Sequence, residues 1–280
     1  TGTGIWRQLK GGSLAKDTIM KLSIVLRVTL AALAVLTLAA FPVQGAQAAS
    51  PTATAARAWY LRNFNSGGVA NVGYTYGLPG DKPIVGDWNG DGIDTPGVVR
   101  GNTWYLRNSN TSGVADIVFT YGLPTDKPIV GDWNGDGIDT PGVVRGSTWY
   151  LRNFNSSGVA NITFNYGISG DKPIVGDWNG DGIDTPGVVR GSTWYLRNFN
   201  SSGAANIGFI YGMPTDRPVV GDWNGDGIDT PGVVRGNTWY LRNFNSTGVA
   251  NIFFGYGLAS DTPLVGDWNR DGLDTPAVVR

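Results

Sequence analysis

Trp104-Tyr105-Leu106-Arg107-Asn108 and Gly131-Asp132-Trp133-Asn134 decide the fold, because both phrases return every 45 residues. The first begins at Trp59, Trp104, Trp149, Trp194 and Trp239, and the second at Gly86, Gly131, Gly176, Gly221 and Gly266. Five such units fill residues 56–280. A unit this short cannot bury a core alone, so the period predicts a solenoid or a propeller whose units complete one another. Turn residues in the second unit predict four strands, over 129–132, 142–145, 148–152 and 162–166. Pro128 and Pro141 precede the first two, where a missing N–H is tolerated. The short turns between them imply an up-and-down sheet. On the fourth strand, Val72/Tyr74/Tyr76, Ile117/Phe119/Tyr121 and their copies are always large and apolar or aromatic, while the positions between them vary. A period of two that is uniform on one side marks a single packed face. The frame is offset: the array opens on a third strand at Trp59 and stops after a second strand at Arg280. Four complete blades therefore lie between about Pro83 and Tyr256, and a fifth must join Trp59–Tyr76 to Pro263–Arg280. The expectation is an all-β, five-bladed β-propeller of 45-residue four-stranded repeats, its last blade closed by N- and C-terminal strands that would otherwise be bare edges. An open array, or one closed by a second chain, is the alternative.

The chain has 280 residues and no Cys, His or Glu. That excludes disulfides, thiolate or imidazole metal sites and a Ser-His-Asp triad, and leaves hard, oxygen-bound cations as the metals it can hold. Residues 20–48 read as a secretory signal, with Lys21 and Arg27 as a positive start, an apolar run of 14 residues from Val28 to Phe41, and Ala46-Gln47-Ala48 as a cleavage site. A membrane span needs about 20 apolar residues, so cleavage is read over a retained anchor. Residues 1–19 carry no motif and 49–55 read as a linker. The product is expected outside the cell or at its surface, with no membrane span after cleavage. Without residues 1–48 the chain holds 16 basic and 21 acidic residues, a net charge of −5. No basic patch suggests nucleic acid, and mild acidity reads as solubility.

Each unit also carries Asp-Trp-Asn-(Gly/Arg)-Asp-Gly-(Ile/Leu)-Asp-Thr-Pro, at 87–96, 132–141, 177–186, 222–231 and 267–276. Oxygens at positions one, three and five followed by a glycine suit a calcium loop, since alternate side chains converge and the glycine permits a sharp turn. Two carboxylates about 5 Å apart repel by about 3 kcal/mol at an effective dielectric of about 20. A positive group is therefore expected among Asp87, Asp91 and Asp94, either calcium or an Arg such as Arg100. Plain turn capping by Asp and Asn is the third reading.

On this motif, residues 56–280 resemble the FG-GAP or VCBS repeat family, the calcium-loop propeller repeats found in integrin alpha subunits, whose loops follow Asp-x-(Asp/Asn)-x-Asp-Gly-x-x-Asp. The resemblance implies a Ca2+ ion in each loop, bound in the millimolar range of extracellular modules. Its ligands would be the side chains of Asp87, Asn89 and Asp91 and the carbonyl of Ile93. At the ninth position Thr95 replaces the family's Asp, and Asp94 is displaced by one, so either the Thr95 hydroxyl or Asp94 would complete the site. The corresponding sets are Asp132, Asn134, Asp136, Ile138 and Thr140; Asp177, Asn179, Asp181, Ile183 and Thr185; Asp222, Asn224, Asp226, Ile228 and Thr230; and Asp267, Asn269, Asp271, Leu273 and Thr275. The family's blades are usually longer and often number seven, so the count of five rests on this sequence.

Trp59 and Trp88 could stack on sugars, but Trp59 alternates with Leu61 on a strand and Trp88 is flanked by ligand-type residues pointing the other way, so both read as core. Arg62 and Arg100 are expected to pair with Asp rather than with acidic ligands. Two function classes compete. One is a multivalent binding or adhesion module for an extracellular glycan or protein ligand, with weak carbohydrate-binding sites strengthened by avidity. The other is a propeller-type glycoside hydrolase using paired Asp. Near-identical repeats weigh against the hydrolase, because an acid and a base need different environments. A structural spacer is the blandest reading. The end around Asp81 and Lys82, opposite the acidic loops, is the expected ligand face.

Overall fold

A computed structural model describes residues 56–280; the expected signal segment, its preceding extension and the linker lie outside the described residues. The described chain is made of short strands and turns without a helix. Strands β1 (Ala58–Leu61) and β2 (Val72–Thr75) come first. Then β3 (Lys82–Gly86), β4 (Thr95–Arg100), β5 (Thr103–Leu106) and β6 (Ile117–Thr120) form one blade, hydrogen-bonded in that order. Strands β7 to β18 repeat it in three further sheets that begin at Lys127, Lys172 and Arg217. Finally β19 (Thr262–Gly266) and β20 (Thr275–Val279) join β1 and β2 in the order β19-β20-β1-β2.

That last sheet is the expected closure. Trp59 lies opposite Val279 and Leu61 opposite Ala277, and Ala58 and Arg280 exchange backbone hydrogen bonds of 2.9 and 3.1 Å. Each innermost strand touches those of both neighbouring blades, β3 meeting β7 and β19. The five sheets therefore form a closed five-bladed β-propeller.

Two strands start earlier than the sequence suggests. In the second blade β7 spans Lys127–Gly131 and β8 Thr140–Arg145, so both prolines lie inside strands, Pro128 opposite Val143 and Pro141 opposite Val130. Pro128 is on the innermost strand, whose second edge has no partner in its sheet, and such an edge tolerates a missing N–H. The Pro141 carbonyl accepts the N–H of Arg152, just past the end of β9 (Thr148–Leu151), where the ladder is ending.

Alternation along the strands sets the packing. On β5, Trp104 and Leu106 are fully buried while Tyr105 between them is half-buried. On β6, Phe119 is buried and Val118 points outward. Trp104 stacks on Phe119 with centroids 5.9 Å apart, and its Nε1 donates to the Tyr121 carbonyl at 3.2 Å. Val143 of the following blade completes this cluster. Each core is thus finished by a neighbour, which is why one repeat cannot stand alone. Trp59 and Trp88 are core residues, as expected.

Candidate functional site

The β3–β4 hairpins place the acidic loops at one end of the ring. Asp87 caps its own loop: Oδ1 accepts the N–H groups of Gly90 at 2.8 Å and Asp91 at 3.2 Å, and Oδ2 that of Gly92 at 2.6 Å. Asp91 Oδ1 accepts from Ile93 N–H, and Asn89 Nδ2 donates to Asp91 Oδ2, both at 2.9 Å. The same bonds recur around Asp132, Asp177 and Asp222, and around Asp267 without the one that Gly90 makes, where Arg270 stands instead. Asp87, Asn89 and Asp91 therefore converge.

Thr95 does not join them. It is 2% exposed, paired in register with Gly86, and its Oγ1 donates to the Gly86 carbonyl across the hairpin at 3.3 Å. Thr140, Thr185, Thr230 and Thr275 do the same. Asp94 also turns away from its loop. Its Oδ2 accepts the N–H of Asp267 in the neighbouring blade at 2.8 Å, and its own N–H donates to the Asp267 carbonyl at 2.9 Å. Asp139, Asp184, Asp229 and Asp274 pin Asp87, Asp132, Asp177 and Asp222 alike. The displaced acid is a clasp between blades. It also explains Gly86, where an added Cβ would lie 2.9 Å from both Cβ and Oδ2 of Asp139.

These five clasps form a ring of neighbouring carboxyls. Burial, then mutual repulsion, raises Asp94, Asp184 and Asp229 well above the ordinary carboxylate range. Burial pushes Asp139 and Asp274 up to about 7, although each keeps a stabilising backbone N–H. Calcium takes six to eight oxygens. Among the described residues, no three acidic side chains converge on one point. A cation in the loop would thus draw on Asp87, Asn89, Asp91 and the carbonyl at Ile93, with Thr95 and Asp94 committed elsewhere.

At the opposite end, Arg100 does not reach the acidic loop. Its Nε and Nη2 bind both carboxylate oxygens of Asp81 at 2.8 Å, and its guanidinium lies 4.9 Å over the Tyr105 ring. Burial alone would raise the Asp81 carboxyl, but Arg100 and the Leu78 N–H outweigh it and hold it below the usual range. The unit recurs as Arg145–Asp126, Arg190–Asp171, Arg235–Asp216 and Arg280–Asp261. Arg100 thus pairs with Asp as expected. Arg62 instead donates to the carbonyls of Ser66 and Val69 in its own loop.

A cleft opens from this end at the seams between blades. Between β2 and the first complete blade it has a volume of about 400 Å³ and is lined by Tyr76, Val98, Arg100 and Tyr105. Tyr256, Val278, Arg280 and Tyr60 line a cleft of about 180 Å³, and Tyr166, Val188, Arg190 and Tyr195 one of about 120 Å³. Neither tyrosine stood out in the sequence as a site residue. The available signal was Tyr105 itself, which alternates out of the core between two buried neighbours.

No family model and no curated protein sequence matches the chain. Among solved structures it is similar to an Agrocybe aegerita lectin with specific recognition of non-reducing terminal N-acetylglucosamine, at 14% identity and a TM-score of 0.41, over 64% of this chain and 53% of that one. It is also similar to BBS1N, solved in complex with ARL6DN, at 11% identity and a TM-score of 0.38, over 65% of this chain and 58% of that one. The chain spans little more than half the length of the chains it matches.

Proposed function

We propose that this protein is a secreted, multivalent binding module that holds sugar rings in the clefts between its blades and turns over no substrate. The observation that carries this reading is the recurrence of one cleft, built each time from Tyr, Val, Arg and Tyr, around a ring whose repeats supply the same residues at every seam. A tyrosine–guanidinium stack beside a valine floor offers apolar surface and N–H donors together, matching the C–H face and hydroxyl edge of a sugar. Single shallow sites of this kind bind weakly, and engaging several at once can strengthen binding by about 10²–10⁴-fold.

Near-identical repeats give every carboxyl of one kind the same surroundings five times over, so no single acid–base pair is set apart for glycosidic cleavage. Calcium belongs to the proposal as a loop stabiliser, supplying positive charge between Asp87 and Asp91 and their copies.

A glycan array probed in millimolar calcium and again in chelator tests the reading. At least one glycan class should be bound, and Tyr60→Ala with Tyr105→Ala and Tyr195→Ala should weaken it by about tenfold, or about 1.4 kcal/mol, while the ring stays folded. Chelation should lower the melting temperature by a few degrees. An empty array rejects the binding module, and identical melting in chelator and calcium removes the metal from it.

A further inference from the structure

The net charge conceals a division between the two ends of the ring. At the loop end each repeat carries three acidic side chains, Asp87, Asp91 and Asp94 in the first, with Asp116 as a fourth in the second repeat, against one guanidinium of the Arg62 type that is engaged with its own loop, joined in the fifth repeat by Arg270. At the opposite end each repeat carries a single carboxylate of the Asp81 type, sealed beneath Arg100 or its copy. None of these five side chains is more than 4% exposed. The Arg100 side chain above it stays 45% exposed. Lys82, Lys127, Lys172 and Arg217 stand at the same end in four repeats, with Thr262 in the fifth, and Arg57 adds another cation. These cations lie one repeat apart along the sequence and form no basic run there. Lys82 and Arg100 sit apart in sequence, and only the up-and-down strand order brings every such residue to one end.

We infer that the ligand of the clefts is an acidic polysaccharide, a chain of carboxylate- or sulfate-bearing sugars laid across this basic end; the inference rests on the cleft reading above. Two of the three Arg100 nitrogens are held by Asp81, leaving Nη1 to meet an anionic oxygen in the cleft that Arg100 lines. Lys82 Nζ donates to the Asp126 carbonyl at 2.9 Å, which leaves further N–H donors on the ammonium. Lys127 and Lys172 repeat this arrangement against Asp171 and Asp216. Among the described residues no exposed acidic side chain stands at this end to repel the polymer, whereas Asp87, Asp91 and their copies at the other end do, so docking is confined to one end. Leu78, Leu123, Ile168, Met213 and Leu258 lie on the same connections at 40–54% exposure. Half-covered side chains in a shallow ring suit the C–H faces of sugars better than insertion into a bilayer, which asks for apolar groups that protrude.

The test compares two polymers of the same sugar, polymannuronate and neutral β-mannan, with duplex DNA and phosphatidylglycerol vesicles as further anionic probes, at low and at high salt. Polymannuronate should bind at least about tenfold tighter than mannan at low salt, and the difference should close as salt screens the charges. Combining Lys82→Gln, Lys127→Gln and Lys172→Gln should remove most of that difference while the ring stays folded. Equal affinity for the two polymers overturns this inference while leaving the cleft reading intact. Binding to DNA or vesicles as tight as to polymannuronate overturns it too, because the end would then be a general anion surface. Failure to bind any glycan removes both readings.

Discussion

Arg270 is the non-glycine residue that takes a positive φ among the described residues, at 60°, where the other four loops have Gly90, Gly135, Gly180 and Gly225. The left-handed region costs an L side chain about 1–2 kcal/mol, partly offset because glycine loosens the unfolded chain. Arg270→Gly is therefore expected to stabilise the ring by about 0.5–1 kcal/mol, read as a higher urea midpoint with an unchanged slope. A lower midpoint would show that the packing of Arg270 against the Gly92 loop outweighs the strain. At this scale the sequence was legible wherever a residue's role is settled by its own strand. Burial of Trp59 follows from its alternation with Leu61 and from the bulk of the side chain. The roles of Thr95 and Asp94 were not legible in the same way. The partner of Asp94 lies 173 residues away in another blade, and no local spacing announces it.

Strand by strand, the four-stranded blade was readable from turn residues, and the two prolines hid only the first residues of β7 and β8. The outer seams were not readable, because the serines that hold them look like ordinary turn residues. Ser112 Oγ accepts the N–H of Thr75 at 2.9 Å, tying the loop of one blade to the outer strand of the blade before it. Ser157, Ser202 and Thr247 tie Thr120, Asn165 and Ile210 at 3.0 Å. At the remaining seam this position is Gly67, beside the outer strand at Gly255, and a side-chain bond of this kind is not possible. Gly67→Ser should supply it, adding about 0.5–1.5 kcal/mol and a few degrees in melting temperature. Its Cβ would lie 3.0 Å from the Gly255 carbonyl, so the loop must yield by a few tenths of an ångström. The bond should also slow amide exchange at Gly255. A fall in melting temperature would mean that this crowding exceeds the gain.

For the ring as a whole, closure depends on the pairing of β1 with β20 and on the clasp from Asp94 to Asp267, which completes the same circle at the loop end. The clasps make stability depend on pH in a direction opposite to that of the Asp81 pairs. Folding raises the clasp carboxyls above the unfolded value of about 3.9. Their contribution is therefore fully present below that value and is lost as pH rises through the folded values, about 7 for Asp139 and Asp274. Folding lowers Asp81, Asp126 and Asp216, so their contribution is present above about 3.9 and lost as pH falls through the lowered values. The two sets leave greatest stability at mildly acidic pH. In chelator, so that no cation screens the loops, the melting temperature should be higher at pH 5 than at pH 8. Asp139→Asn keeps an oxygen to accept the Asp87 N–H but removes one charge from the ring, so it should raise the melting temperature at pH 8 by about 2–4 °C, or about 1 kcal/mol, and have little effect at pH 5. A wild-type protein that melts higher at pH 8 than at pH 5, or an Asn variant that is destabilised equally at both, would show that the clasps act as charged ion partners rather than as protonated hydrogen-bonding groups.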